Sequence, residues 1–231
     1  MGAVTRSGDA VRRTAGPWSP AVHRLLVDLG AAGVPGIPVP ISLKDDSEVL
    51  SFVPGFVPSY PLEPRVWTDR ALVSAARVLR TIHDASQHVP RAGPWRSPPR
   101  EPAEVICHND FAPYNLVFEN DAVVGVIDWD YASPGPRIWD LAYLAYRIVP
   151  LTHGPSNDGF SADQRADRLR RLIDEYGLET TIGDFLEVVR TRLVALAEFS
   201  DTAAEKLGKP ELRDHADGYR TDARQLTVKN P

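Results

Sequence analysis

Several things are scarce or missing in this chain, and each absence narrows what it can be. There is one cysteine in 231 residues, Cys107. An internal disulfide is therefore excluded, and a reducing cytoplasmic setting is expected. Cys107 sits in a short apolar run and reads as a buried strand residue rather than a nucleophile. No apolar stretch approaches the ~18 residues that a membrane-spanning helix needs. The N-terminus carries no apolar signal core, and Met1-Gly2 is followed by Arg6 where a myristoylation site requires Ser or Thr. Positive charge is not in excess, since the net charge is −5, so nucleic acid is not an expected partner and neither is a membrane. Internal repeats and low-complexity segments are lacking too. What remains is an ordinary globular composition, 43% hydrophobic and 25% charged, long enough to bury a proper core.

The informative stretch runs from 105 to 142. Val105-Ile106-Cys107, Leu116-Val117-Phe118 and Val123 to Ile127 are short apolar runs that read as strands. Glu119-Asn120-Asp121 separates the last two as a hairpin turn. That hairpin brings the loop His108-Asn109-Asp110-Phe111-Ala112-Pro113-Tyr114-Asn115 to the same end as Ile127-Asp128-Trp129-Asp130. A His, an Asn amide and two or three carboxylates converge there, an oxygen-rich set that suits Mg²⁺ together with substrate phosphates. The spacing H-x-D-x-x-x-x-N is that of a kinase catalytic loop. In such chemistry Asp110 accepts the proton of the attacking hydroxyl, and Asn115 and Asp128 hold Mg²⁺.

HNDFAPYN followed by VIDWDYASPGPRIWDLA resembles the aminoglycoside phosphotransferase and choline-kinase-like family of small-molecule kinases, closely over about residues 50–150. The resemblance implies an α+β, two-lobed protein-kinase-like fold. Residues 1–54 would form a shortened β-rich nucleotide lobe and 55–231 a mainly helical catalytic and substrate lobe. It further implies ATP and Mg²⁺ as cofactors. Asp110 is then the catalytic base and Asn115 and Asp128 the metal ligands. His108 braces the loop, Asp140 ties it down, and Asp130 is a supporting carboxylate. Ser51-Phe52-Val53 would be the hinge whose backbone meets the adenine.

The first lobe departs from the usual kinase pattern. No glycine-rich phosphate loop fits before Val4, and no lysine occurs before Lys44. Arg13, or failing it Arg12, is the cation placed to touch phosphate. The helix expected from Ser19-Pro20 to Gly33 contains no Glu, only Asp28, with His23 near the position where Glu is usual. Strands are expected over Thr5 to Arg13 as a hairpin about Ser7-Gly8-Asp9, and at Ile37–Ile41 and Glu48–Val53. Helices are expected from Thr68 to about Ala85, Ile138 to Val149, Ser161 to Tyr176, Thr181 to Leu207 and Glu211 to Leu226. Asp158, Glu198 and Asp201 are candidate contacts for a cationic acceptor, while His83, Trp139, Tyr143 and Tyr146 read as packed core. The function expected is ATP-dependent phosphorylation of a hydroxyl on a small molecule. The alternative is a kinase-fold binding, immunity or regulatory protein without phosphoryl transfer. The acceptor and the oligomeric state are not specified by the sequence.

Overall fold

Gly8 opens the chain's first turn. It lies at φ 60° between β1 (Thr5–Ser7) and β2 (Ala10–Thr14), with Ser7 directly opposite Ala10. In the computed structural model, which describes residues 4–152 and 159–226, this hairpin starts a four-stranded antiparallel sheet. The sheet continues with β3 (Pro40–Leu43) and β4 (Ser47–Ser51) in the order β1-β2-β4-β3. Helix α1 (Ser19–Ala31) places Pro20 in its first turn, where a missing N–H costs nothing. Its apolar stripe, Val22, Leu25, Leu26 and Leu29, is buried.

The strand expected at 37–41 starts later. Gly36 takes φ 67° and gives its carbonyl to the Val126 N–H at 2.8 Å, while Pro38 and Pro40 have no N–H to donate. Ladder pairing therefore begins only at Pro40. An added Cβ on Gly36 would lie 1.9 Å from the Val124 carbonyl oxygen, so this segment packs backbone to backbone on β7 (Ala122–Val126).

Beyond a connector over residues 56–67 the chain is mainly helical. Helix α2 (Asp69–Ala85) is capped by the Thr68 hydroxyl, which accepts from the Ala71 N–H, and it buries Leu72, Ala75, Ala76, Leu79 and Ile82. Strand β5 (Val105–Cys107) is fully buried. β6 (Leu116–Glu119) and β7 form the expected hairpin, turned by Asn120 and Asp121 at φ 48° and 62°. Two central residues at positive φ match the twist of the flanking strands.

The sequence did not suggest β8 (Ser133–Gly135), which pairs with β5. Ser-Pro-Gly reads as a turn, yet Pro134 is tolerated because the β5–β8 pair is a separate two-stranded ladder. Helices α3 (Arg137–Ile148), α4 (Ala162–Tyr176), α5 (Ile182–Leu207) and α6 (Glu211–Gln225) follow. α4 has the reciprocal Ser161/Gln164 capping box and ends at Gly177, φ 75°. One hydrophobic core runs from Leu25 of α1 through Leu79 and Phe111 to Leu193 of α5. No helix among the described residues is long and apolar enough to cross a membrane.

Candidate active site

The loop after β5 is fixed by one buried carboxylate. Asp140, in the first turn of α3, accepts from the His108 N–H at 2.5 Å and the Asn109 N–H at 2.7 Å. It also meets His83 Nε2 at 3.2 Å. Burial alone would raise this carboxyl; the His83 hydrogen bond and the nearby imidazoles outweigh that and hold it below the usual carboxylate range. Helix α5 adds Arg192, whose Nη2 donates to the Asn109 carbonyl. Asn109 itself stands at φ 63° and donates its amide to Tyr131 O and Ser133 Oγ. The other side is braced by His108, fully buried, with Nε2 3.0 Å from Ile127 O and its ring 4.8 Å from that of Trp129.

Asp110 projects from this clamped loop. Tyr114 donates its hydroxyl to Asp110 Oδ1 at 2.6 Å, and Asn115 Nδ2 donates to Oδ2 at 2.9 Å. Burial pushes the Asp110 carboxyl above its ordinary range, against the pull of Tyr114, His108 and Asn115. The amide nitrogen of Asn115 is thus committed, leaving its carbonyl oxygen as an available ligand. Asn115 and Asp128 lie at the same end of the hairpin, where Ile127 N–H donates to Asn115 O at 2.9 Å. Asp128 stands at φ 61°, ψ 65°, a left-handed backbone that Asp and Asn adopt more readily than other non-glycine residues. Its carboxylate is one-third exposed. An amide oxygen beside a carboxylate is a donor set that fits a hard cation such as Mg²⁺.

Arg13 reaches this site from β2. Its guanidinium lies 2.5 Å from Asp130, 3.3 Å from Asp128 and 2.8 Å from Glu48. Burial would lower its pKa, but the charges of Asp130, Glu48 and Asp128 more than reverse this. Arg12, on the opposite face of the strand, is exposed. The carboxylate partner of Arg13 does not come from α1. It is Glu48 on β4, directly opposite Arg13 in the strand register and 1% exposed, and its other oxygen lies 2.6 Å from His23 Nε2 of α1. Sequence reasoning missed Glu48, because the cross-strand register and not the helix period supplies it. Asp130 is gripped from a second direction by Arg96 at 3.5 Å. The Arg96 guanidinium lies 4.3 Å from the Trp18 ring centre and 4.2 Å from that of Tyr131.

Between the sheet and the β6–β7 hairpin lies a cavity of about 370 Å³. Val11, Arg13 and Leu50 line it from the sheet side, Ser51, Phe52 and Val53 along one edge, and Asp128 and Trp129 from below. In the Ser51–Val53 segment, the Ser51 N–H donates to Val39 O and the Phe52 N–H to Asp9 O. Val53's N–H has no partner among the described residues. Of the acids considered for a cationic acceptor, Asp201 is paired with Arg220, Glu198 is exposed on α5, and Asp158 lies outside the described residues.

The site's immediate surroundings also include a cation that the sequence did not mark. Tyr114 OH lies 2.8 Å from Tyr143 OH, which accepts from Arg147 Nε and Nη2 at 3.3 and 3.2 Å.

Comparisons with known proteins bear on the family and the fold. The model of the phosphotransferase enzyme family matches residues 87–182. A trifolitoxin immunity protein from Rhizobium leguminosarum bv. trifolii is 32% identical over 225 residues, covering 91% of this chain and 84% of that protein. A choline/ethanolamine kinase family protein from Mesorhizobium loti superposes with a TM-score of 0.65 at 18% identity, covering 98% of this chain and 85% of the other. Amicoumacin kinase, in complex with AMP-PNP, Ca²⁺ and Ami, gives a TM-score of 0.66 at 10% identity, with 98% of this chain and 92% of the other covered. The fold is thus the two-lobed, protein-kinase-like one of these small-molecule kinases.

Proposed function

Since the chain belongs to the phosphotransferase enzyme family, we propose that it transfers the terminal phosphoryl group of ATP to a hydroxyl of a small molecule. The observation that carries this reading is the coupling of Asp110 to Asn115. One amide nitrogen holds the carboxylate, which in this reading leaves the amide oxygen to serve, with Asp128, as a ligand. In this reading residues 1–54 form the nucleotide lobe and 55–231 the catalytic and acceptor lobe, in a cytoplasmic protein. Bound AMP-PNP and Ca²⁺ in amicoumacin kinase support a nucleotide and a divalent cation as co-substrate and cofactor.

Asp110 receives the acceptor's proton. Its hydrogen bonds from Tyr114 and Asn115 hold one carboxylate orientation, and its raised pKa makes it a stronger base than an exposed aspartate. Asn115 and Asp128 would hold Mg²⁺, which when bound supplies positive charge to the phosphates. Arg13 stands where a cation can meet phosphate oxygens, held by Glu48 and its His23 partner. Ser51, Phe52 and Val53 border the adenine end, where the unpartnered Val53 N–H is the available donor. His108, Asp130 and Asp140 act through position: His108 and Asp140 fix the loop, and Asp130 anchors Arg13 and Arg96.

A second reading, a ligand-binding or immunity protein without phosphoryl transfer, is favoured by the relative named as an immunity protein and by the Arg13–Asp128 ion pair across the metal position. Calorimetry of ATP binding with and without Mg²⁺ separates the two. The parent is expected to bind ATP in a Mg²⁺-dependent way, and Asp128→Asn to lose that dependence. Asp110→Asn is expected to bind Mg-ATP like the parent and transfer nothing. ATP binding indifferent to Mg²⁺, or undetectable at millimolar nucleotide, would reject the kinase reading in favour of the binding protein.

A further inference from the structure

Arg147 lies in the last turn of α3. Among the described residues no carboxylate pairs with it; its hydrogen bonds go to Tyr143 OH and, at 2.9 Å, to Tyr219 OH. The ring centres of Tyr60, Tyr143, Tyr146 and Tyr219 lie 5.9, 5.3, 5.0 and 5.8 Å from its Cζ. The contrast with Arg13, which faces three carboxylates, is sharp. Nor do the phenols supply negative charge. Burial pushes Tyr143 up to about 12 and also raises Tyr60 and Tyr146, so these hydroxyls stay neutral. The C-terminal end of α3 favours a cation here, but as a partial charge only.

This guanidinium stands two hydroxyls from the base: Arg147 to Tyr143, Tyr143 to Tyr114, Tyr114 to Asp110 Oδ1. A partly desolvated guanidinium held by neutral partners keeps donors for a planar anion, and a fixed Arg fork suits carboxylate or phosphate. The same aromatic ring could have attracted an ammonium group, but the chain's own cation fills it. A positively charged acceptor would meet like charge here. We propose that Arg147 and its phenol ring form an acceptor subsite for an anionic group, so that the molecule phosphorylated carries a carboxylate or phosphate beside its hydroxyl. The phosphorylation part rests on the kinase reading above; the anion subsite does not.

The test uses the full chain, and calorimetry reads binding separately from turnover. The probes are a panel of hydroxylated carboxylates and phosphate monoesters, including glycerate and glycerol 3-phosphate, set against ethanolamine and kanamycin. At least one anion is expected to bind tenfold or more tightly than either amine, with affinity falling as salt rises. Arg147→Met should weaken that anion by tenfold or more at an unchanged melting temperature. Arg147→Lys should recover part of the affinity for a phosphate monoester and little for a carboxylate, which tells the two anions apart. Should Arg147→Met fail to fold, Arg147→Lys and the salt dependence of the parent carry the test. Tighter amine binding, equal anion binding in the Arg147 variants, or no anion bound would overturn the subsite. Transfer of phosphate to an amine probe would overturn it while leaving the kinase reading intact. Anion binding that needs Arg147 without any transfer from ATP would uphold it and count against the kinase reading.

Discussion

Replacing Glu48 by Gln removes one charge and almost no volume from a carboxylate that is 1% exposed and touches a guanidinium and an imidazole. Arg13 lies at 2.8 Å and His23 at 2.6 Å. Truncating one partner of a buried ion pair costs about 3–5 kcal/mol, because the other charge is left uncompensated. Here Arg13 keeps Asp128 and Asp130, so its charge is not abandoned, and the expected loss is the lower figure, about 3 kcal/mol. At roughly 2–4 °C per kcal/mol for a chain of this size, the melting temperature should fall by about 6–12 °C. Urea unfolding and a cycle with His23→Ala are the assays. The two substitutions should be non-additive by about 0.5–3 kcal/mol, as expected for residues in direct contact. Freed from Glu48, Arg13 should settle on Asp128 and Asp130, and Mg-ATP affinity should fall about tenfold, or ~1.4 kcal/mol. A loss of stability under about 1 kcal/mol, the worth of an exposed pair, would refute the picture of a buried strand-to-strand lock.

Three further outcomes are expected. Asp140→Asn sets an amide N–H against the His108 or Asn109 N–H and should cost about 3–5 kcal/mol in chemical denaturation. The carboxyl is held below its ordinary 3.8, so its contribution is present above that pH and lost only as pH falls through the lower folded value; the gap between parent and variant should close in that acid window. Asp110→Asn should abolish transfer yet raise stability. Burial lifts the Asp110 carboxyl above 3.8, so the parent's penalty is fully present above the raised folded value and gone below 3.8, and melting curves across pH should show the variant's advantage only on the alkaline side. Gly36→Ala should cost at least about 2 kcal/mol, since Ala pays for φ 67° and its Cβ collides with Val124 O; a neutral result in urea unfolding would contradict the close contact.

The candidate site's hairpin and several helix starts were legible because their signals are local. Strand β5, the Asn120-Asp121 turn, the Thr68 cap and the Ser161/Gln164 box each depend on residues within a few positions of one another. What escaped the sequence depends on contacts between distant segments. Glu48 looks like a solvated residue at the start of a strand, and only the pairing of β2 with β4 sets it against Arg13. Arg147 looks like an ordinary last-turn cation, and only the approach of α6 and the connector surrounds it with Tyr219 and Tyr60. β8 was hidden because a Ser-Pro-Gly turn signal carries no information about the ladder that β5 offers it. The late start of β3 has a similar origin, since the Gly36 carbonyl is spent on Val126 rather than within the sheet.

That bond from Val126 to Gly36 has a mechanical meaning. It joins the segment leading into the sheet to the β6–β7 hairpin two residues before Asp128, where both backbones lack a side chain between them, Gly36 facing Gly125. Rocking the sheet about a distant axis would stretch this contact and strand a buried donor, the Val126 N–H. A rotation about Gly36 would spare it, like a door whose pin stands beside the lock. Such a rotation would carry β2 away from the hairpin, so the mouth of the cavity could widen only by breaking the ion pairs of Arg13 with Asp128 and Asp130.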